Sequence, residues 1–95
     1  MRDLTISMEP VKGTCNSFYA FVTSDGQEKR WIADDGDKKR SKSGKVSDSQ
    51  VKIKTRVWGI NSASYKLSID LPGTANDQSI EFTLTDGYHE AEIHI

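Results

Sequence analysis

Three groups of side chains in this sequence have the types and spacing for chemistry. The first is basic: Lys38, Lys39, Arg40, Lys42 and Lys45 in one run, continued by Lys52, Lys54 and Arg56 at alternate positions of the next. Alternate residues of a strand stand about 6–7 Å apart on one face, comparable with successive phosphates along a single nucleic-acid strand. Trp58 falls on the same parity, and an aromatic beside a basic row is how single-strand binders stack bases. The row equally suits a sulfated glycan, an anionic membrane surface or an acidic protein. Its plain counterpart is a solvated loop, followed by a strand whose lysines deter edge-to-edge pairing.

The second group is acidic. Asp34-Asp35-Gly36-Asp37 resembles a fragment of a calcium loop, because clustered carboxylates on a turn suit a hard cation. It lacks the alternate carboxylates and distal Glu of an EF-hand, so an Asp-Gly turn closing a strand is the simpler reading. The third group is aromatic: Trp31, Trp58, Tyr19, Tyr65 and Tyr88. At least two of these belong in the core of so small a chain. Trp58 and Tyr88 fall on the polar parity of their strands, which makes them the exposed pair and the platform on which a sugar ring would stack.

Catalytic groupings do not assemble. His89 and His94 are the only histidines, and an odd separation within one strand puts them on opposite faces. The lone Cys15 near a strand start reads as a buried, inert thiol rather than a nucleophile. None of the G-x-S-x-G, H-E-x-x-H, C-x-x-C or P-loop patterns occurs. The expectation is therefore a protein that is not an enzyme and needs no cofactor.

Charge divides the chain. Residues 29–56 carry ten of the thirteen Lys and Arg and four of the fourteen Asp and Glu, a local net of +6 within a total of −1. No Lys or Arg follows Lys66, whereas Asp70, Asp77, Glu81, Asp86, Glu90 and Glu92 do. The near-neutral total weighs against a dedicated nucleic-acid domain. No apolar run approaches the roughly 18 residues of a membrane span. The absence of a leader-like h-region, and of a second cysteine for a disulfide, leans toward an intracellular location.

The elements that must position these groups are strands. Leu4, Ile6 and Met8 alternate with polar neighbours up to Pro10. Phe18 to Thr23 is apolar on both parities and so predicts a central strand covered on both faces. Asp25-Gly26 predicts a hairpin to Gln27–Ala33, and Asp86-Gly87 a second one between the Ile80–Leu84 run and Tyr88–Ile95. Val51, Ile53, Thr55 and Val57 face one way, with Lys52, Lys54, Arg56 and Trp58 opposite. Tyr65, Leu67, Ile69 and Leu71 repeat the pattern until Pro72-Gly73 ends it.

Helical periodicity is absent, so the fold expected is all-β. It is a single antiparallel β-sandwich of about seven strands over residues 1–95, with a small β-barrel as the alternative. Strand count and size resemble an immunoglobulin-type or fibronectin-type sandwich, without the Cys-Trp-Cys signature; the likeness concerns architecture alone. Residues 34–50 read as a long charged loop, which is functional, disordered, or conceals a short strand near Val46.

The functional expectation is a non-catalytic interaction module that meets a protein partner through the charged 34–58 region. Polyanion binding through the basic strand and loop is one alternative, and carbohydrate binding through exposed aromatics another. Weak, salt-sensitive self-association is also expected, provided the basic row on Val51–Trp58 and the acidic Glu90/Glu92 row lie apart on one subunit. If the two rows pair across one sheet instead, that drive disappears.

Overall fold

The structure, a computed structural model, describes residues 1–71 and 77–95. These residues form eight strands: β1 (Arg2–Lys12), β2 (Cys15–Ser24), β3 (Gln27–Asp35), β4 (Arg40–Val46), β5 (Val51–Gly59), β6 (Ser64–Asp70), β7 (Gln78–Thr83) and β8 (Tyr88–His94). They form two antiparallel sheets, ordered β4-β1-β6-β7 and β3-β2-β5-β8. The alternation of each strand sends one parity into a shared core. Leu4, Ile6 and Met8 of β1 and Leu67 and Ile69 of β6 meet Phe18, Ala20 and Val22 of β2 and Ile53 and Val57 of β5. The fold is the expected antiparallel sandwich, built of four strands over four. Among the described residues there is no helix long and apolar enough to cross a membrane. Pro72-Gly73, read as the end of the Tyr65–Leu71 run, lies outside the described residues.

Three local expectations are corrected. The first concerns 34–50, which is not one loop: β3 continues to Asp35, and all of β4 lies inside the segment, paired with β1 from Arg2↔Val46 to Met8↔Arg40. An edge strand needs little apolar surface, so β4 hides its periodicity. Its outward Ser41 and Ser43 hydroxyls bond instead to Ser7 (2.9 Å) and Thr5 (2.8 Å). Its inward positions are Arg40, Lys42, Gly44 and Val46, of which only Val46 is buried. Gly44 leaves room for the Trp31 ring of β3, two of whose carbons would stand 3.0 Å from an added Cβ.

The second correction concerns Phe18–Thr23. It lies in the central strand β2, but only one face is closed. Phe18, Ala20 and Val22 are buried, while Tyr19 and Phe21 are half-exposed on the outside. The third concerns Asp86-Gly87. Asp25 and Gly26 take φ of 53° and 74°, the left-handed pair a two-residue hairpin demands, and join β2 to β3. Asp86 and Gly87 have the same geometry (55° and 78°), yet they close only a single bridge between Thr85 and Tyr88. Leu84 then dives into the core, and the chain changes sheet, so β7 and β8 do not pair.

The sandwich has two unlike flanks. Along β3 and β4 the positions facing inward at the free edges include Lys29, opposite Val22, and Lys42, opposite Ile6. Charges pointing inward at an edge obstruct pairing with another chain. Along β7 and β8 the corresponding positions are the half-buried Ile80, Phe82, Ala91 and Ile93.

Candidate functional site: the outer face of the β3-β2-β5-β8 sheet

Register fixes what this face displays. On β2 stand Ser17, Tyr19, Phe21 and Thr23, and beside them on β5 Trp58, Arg56, Lys54 and Lys52. Across β5, β8 places Tyr88, Glu90, Glu92 and His94 against the same four residues. On the far side of β2, β3 contributes Asp35, Ala33, Arg30 and Glu28. Four cations and four carboxylates therefore share one surface, with an aromatic corner.

Trp58 sits at that corner, 41% exposed. Its ring is 5.5 Å from Tyr19 in an edge-on arrangement and 4.9 Å from Tyr88, separations at which aromatic pairs attract. Two rings thus hold the indole in place while one of its surfaces stays open. An open depression of about 330 Å³ lies alongside, lined by Ser17, Tyr19, Phe21, Arg56 and Trp58. Gly59 lets the strand end there: a Cβ on it would lie 2.4 Å from the Thr14 carbonyl oxygen.

The charges answer one another across β5 and β8, the two lysines diagonally and Arg56 directly opposite Glu90. Lys52 Nζ is 3.3 Å from Glu92, Lys54 Nζ is 3.8 Å from Glu90, and Arg56 Nε is 3.7 Å from Glu90. The Tyr88 hydroxyl donates to Glu90 Oε2 at 2.7 Å. That hydrogen bond, helped by Arg56 and Lys54, holds the Glu90 carboxyl below the usual carboxylate range, and it pushes the Tyr88 phenol upward. The basic and acidic rows therefore pair within one sheet, and the premise for head-to-tail self-association is removed.

Arg56 differs from its lysine neighbours. Its guanidinium carbon lies 5.8 Å from the Phe21 ring centroid. Its Nε is buried, and among the described residues no group hydrogen-bonds to it.

The nine residues expected to bind are split between two places. Lys52, Lys54, Arg56 and Trp58 share the face just described. Lys38 and Lys39 are exposed in the connection before β4, and Arg40, Lys42 and Lys45 lie along β4 in the other sheet. Arg40 bonds Asp37 Oδ1 at 3.0 Å, and Lys45 pairs with Asp3. The three weak metal candidates do not converge. Asp34 and Asp35 alternate along β3, opposite Phe18 and Ser17 respectively, while Asp37 is engaged by Arg40. Among the described residues no three metal-ligating side chains come together.

Sequence reasoning missed Ser17 and Phe21 as members of the face. Their signal was parity: Ser17, Tyr19 and Phe21 alternate with the core residues Phe18, Ala20 and Val22.

No family model, curated protein or solved structure matches this chain.

Elsewhere, Tyr65, His89 and Cys15 are titratable groups drawn into or against the core. The Tyr65 hydroxyl, inside the core, is 3.0 Å from Thr55 Oγ1 and 2.8 Å from Nδ1 of His89. Burial pushes the phenol up to about 12 and holds the His89 imidazole below its ordinary range. The ring of His89 stacks on Phe82 with centroids 4.7 Å apart, while His94 faces outward beside Lys52. Cys15 is buried, its Sγ 3.7 Å from the Ser64 carbonyl, and burial raises its thiol.

Proposed function

We propose that this protein is a non-catalytic binding module whose ligand is a carbohydrate, taken on the outer face of the β3-β2-β5-β8 sheet. The observation that carries the reading is Trp58, clamped by Tyr19 and Tyr88 beside an open depression that also holds polar groups. A flat, immobilised indole offers an apolar surface to the C–H face of a sugar ring. Ser17, Arg56 and the Glu90 carboxylate around it supply donors and acceptors for hydroxyls. The depression is shallow and open, which suits one or two residues of a glycan rather than an enclosed small molecule.

The polyanion alternative loses support on the same face. Lys52 and Lys54 have carboxylate neighbours, and Glu28, Asp35, Glu90 and Glu92 would repel a run of phosphates or sulfates. Lys38, Lys39, Arg40, Lys42 and Lys45 sit on the other sheet and its connection, so the run that a nucleic-acid strand would follow is broken.

A protein partner is the second reading. It is favoured by the exposed Trp and Arg, residue types that carry most of the energy in protein interfaces. The two readings part on area. A protein partner covers about 800 Å² of this molecule, so Arg30→Ala or Lys52→Ala, away from the depression, would weaken it while leaving a sugar unaffected.

A glycan array probed with the native chain and with Trp58→Ala tests the proposal. Bound glycans that are lost in the variant support it. An array with no bound glycan, on protein shown to be folded, overturns it.

A further inference from the structure

Resting on the carbohydrate reading, we propose that the sugar this face selects is acidic, its carboxylate held by Arg56. Arg56 is the cation that lines the depression, and its guanidinium makes no hydrogen bond among the described residues. Its Nε is buried without a hydrogen-bonding partner among the described residues. Glu90 is 3.7 Å away, beyond hydrogen-bond reach, and already accepts the Tyr88 hydroxyl at 2.7 Å. Lys52 is paired with Glu92 at 3.3 Å, while Lys54, 3.8 Å from Glu90, and Arg30 do not line the depression.

Position makes the unspent donors useful. Arg56 lines the depression together with Ser17, Tyr19, Phe21 and Trp58. Its guanidinium carbon lies 5.8 Å from the Phe21 ring centroid, and the side chain is 42% exposed. Arg56 and Trp58 are alternate residues of β5 on one face, so their Cα atoms stand about 6–7 Å apart. A pyranose stacked on the indole therefore carries its ring carboxylate toward the guanidinium. A planar fork matches a carboxylate with two parallel N–H···O bonds, which a lysine ammonium does not reproduce.

The neighbouring charges set a limit on how acidic the ligand is. Glu90 and Glu92 flank β5 on one side, and Asp35 and Glu28 lie beyond β2 on the other. One carboxylate at Arg56 is accommodated, whereas a chain bearing an anion on every residue meets these groups. The class selected is thus a glycan with an isolated uronate or sialate, and not a sulfated polymer.

The experiment is an array of matched pairs: glucuronate-, galacturonate- and sialate-terminated glycans, each printed beside its own methyl ester. The inference expects the free acids to be retained at least about 10-fold more strongly than their esters, the scale of a charge-assisted pair of hydrogen bonds. Arg56→Met, which keeps the apolar stem, is expected to erase that preference while leaving ester binding within about 2-fold. Arg56→Lys restores only part of it. Thermal unfolding of each variant verifies that the fold is intact.

Acid and ester bound equally would overturn this inference and leave the carbohydrate reading standing. No binding to either overturns this inference, and no bound glycan on the wider array overturns the carbohydrate reading as well. Retention of a dT12 oligonucleotide, with an affinity that falls by several log units per tenfold rise in salt, would overturn both in favour of a nucleic-acid site.

Discussion

The Tyr65 hydroxyl reaches through the core to Nδ1 of His89, 2.8 Å away, and joins β6 of one sheet to β8 of the other. Thr55 of β5, 3.0 Å from the same oxygen, completes a polar node between layers that are otherwise apolar. Removing the hydroxyl leaves the buried Thr55 hydroxyl and the half-buried His89 ring without their partner. Tyr65→Phe is expected to lower the unfolding free energy by about 1–3 kcal/mol, and Thr55→Val added to it to recover part of the loss. Urea unfolding of the single and double variants measures both. A Tyr65→Phe loss below about 0.5 kcal/mol would remove the node from any account of stability.

The same contact makes stability depend on pH in a definite direction. Burial lowers the His89 pKa in the folded protein relative to its ordinary value of about 6.5 in the unfolded chain. The unfolded state therefore takes up the proton first as pH falls. The stability that neutral His89 contributes is complete above about pH 6.5, and it is lost progressively as pH drops from there toward the folded pKa. His89→Gln should flatten the urea midpoint between pH 7.5 and 5. Below that window the exposed Glu9 and Glu90, both held low chiefly by hydrogen bonds from Lys66 and Tyr88, bring a second loss as they protonate. A variant with the same slope as the native chain above pH 5 would show that His89 is not the responsible group.

Trp58→Ala separates binding from folding. The indole is 41% exposed and packs on two rings, so its removal is expected to cost about 1–2 kcal/mol of stability, the worth of two aromatic contacts. Binding, by contrast, should fall below detection. Calorimetric titration against any glycan retained on the array gives one quantity and urea unfolding the other. A stability loss above about 4 kcal/mol would instead make Trp58 a core residue.

How much of this was legible depends on periodicity. Strands β1, β5 and β6 announce themselves because each buries one complete parity, and the core residues Leu4, Ile6, Ile53 and Leu67 follow directly. Strand β4 does not, because its energy comes from Ser41 and Ser43 hydroxyl pairs and backbone pairing rather than from apolar burial. Tyr19 and Phe21 misled for a different reason: large apolar residues on an outward parity imitate a fully covered strand. The cross-strand pairing of Lys52 and Lys54 with Glu90 and Glu92 was foreseeable only as an alternative, because parity fixes a face but not a neighbour.

Gly44 and Trp31 give a test of that hidden strand. An added Cβ would stand 3.0 Å from two carbons of the indole, so Gly44→Ala should destabilise by about 1–3 kcal/mol through overpacking. Trp31→Phe in the same chain should relieve most of it. If Gly44→Ala were neutral, β4 would not pack on β3 as described.

Lys42 tests the guarded flank. It stands opposite Ile6 at the free edge of β4 and is exposed. Lys42→Val removes a charge that obstructs edge pairing. Sedimentation of this variant should reveal association at concentrations where the native chain has none, at 0.1 M and 1 M salt alike. A variant that sediments as the native chain does would show that the edge is protected by other means.

The placement of β1 governs when the molecule can fold. It is an interior strand of its sheet, but its partners are distant: Leu4 pairs with Gly44, and Thr5 with Asp70. During synthesis Leu4, Ile6 and Met8 of β1 stay uncovered until β4, ending at Val46, and then β6, ending at Asp70, have been made. The other sheet differs, since the β2–β3 hairpin closes across only Asp25 and Gly26. Assembly is therefore led by β2, β3 and β5, with β1 docking late. So many long-range pairings place refolding on the millisecond-to-second scale. Until that docking the first strand is the segment most open to a chaperone.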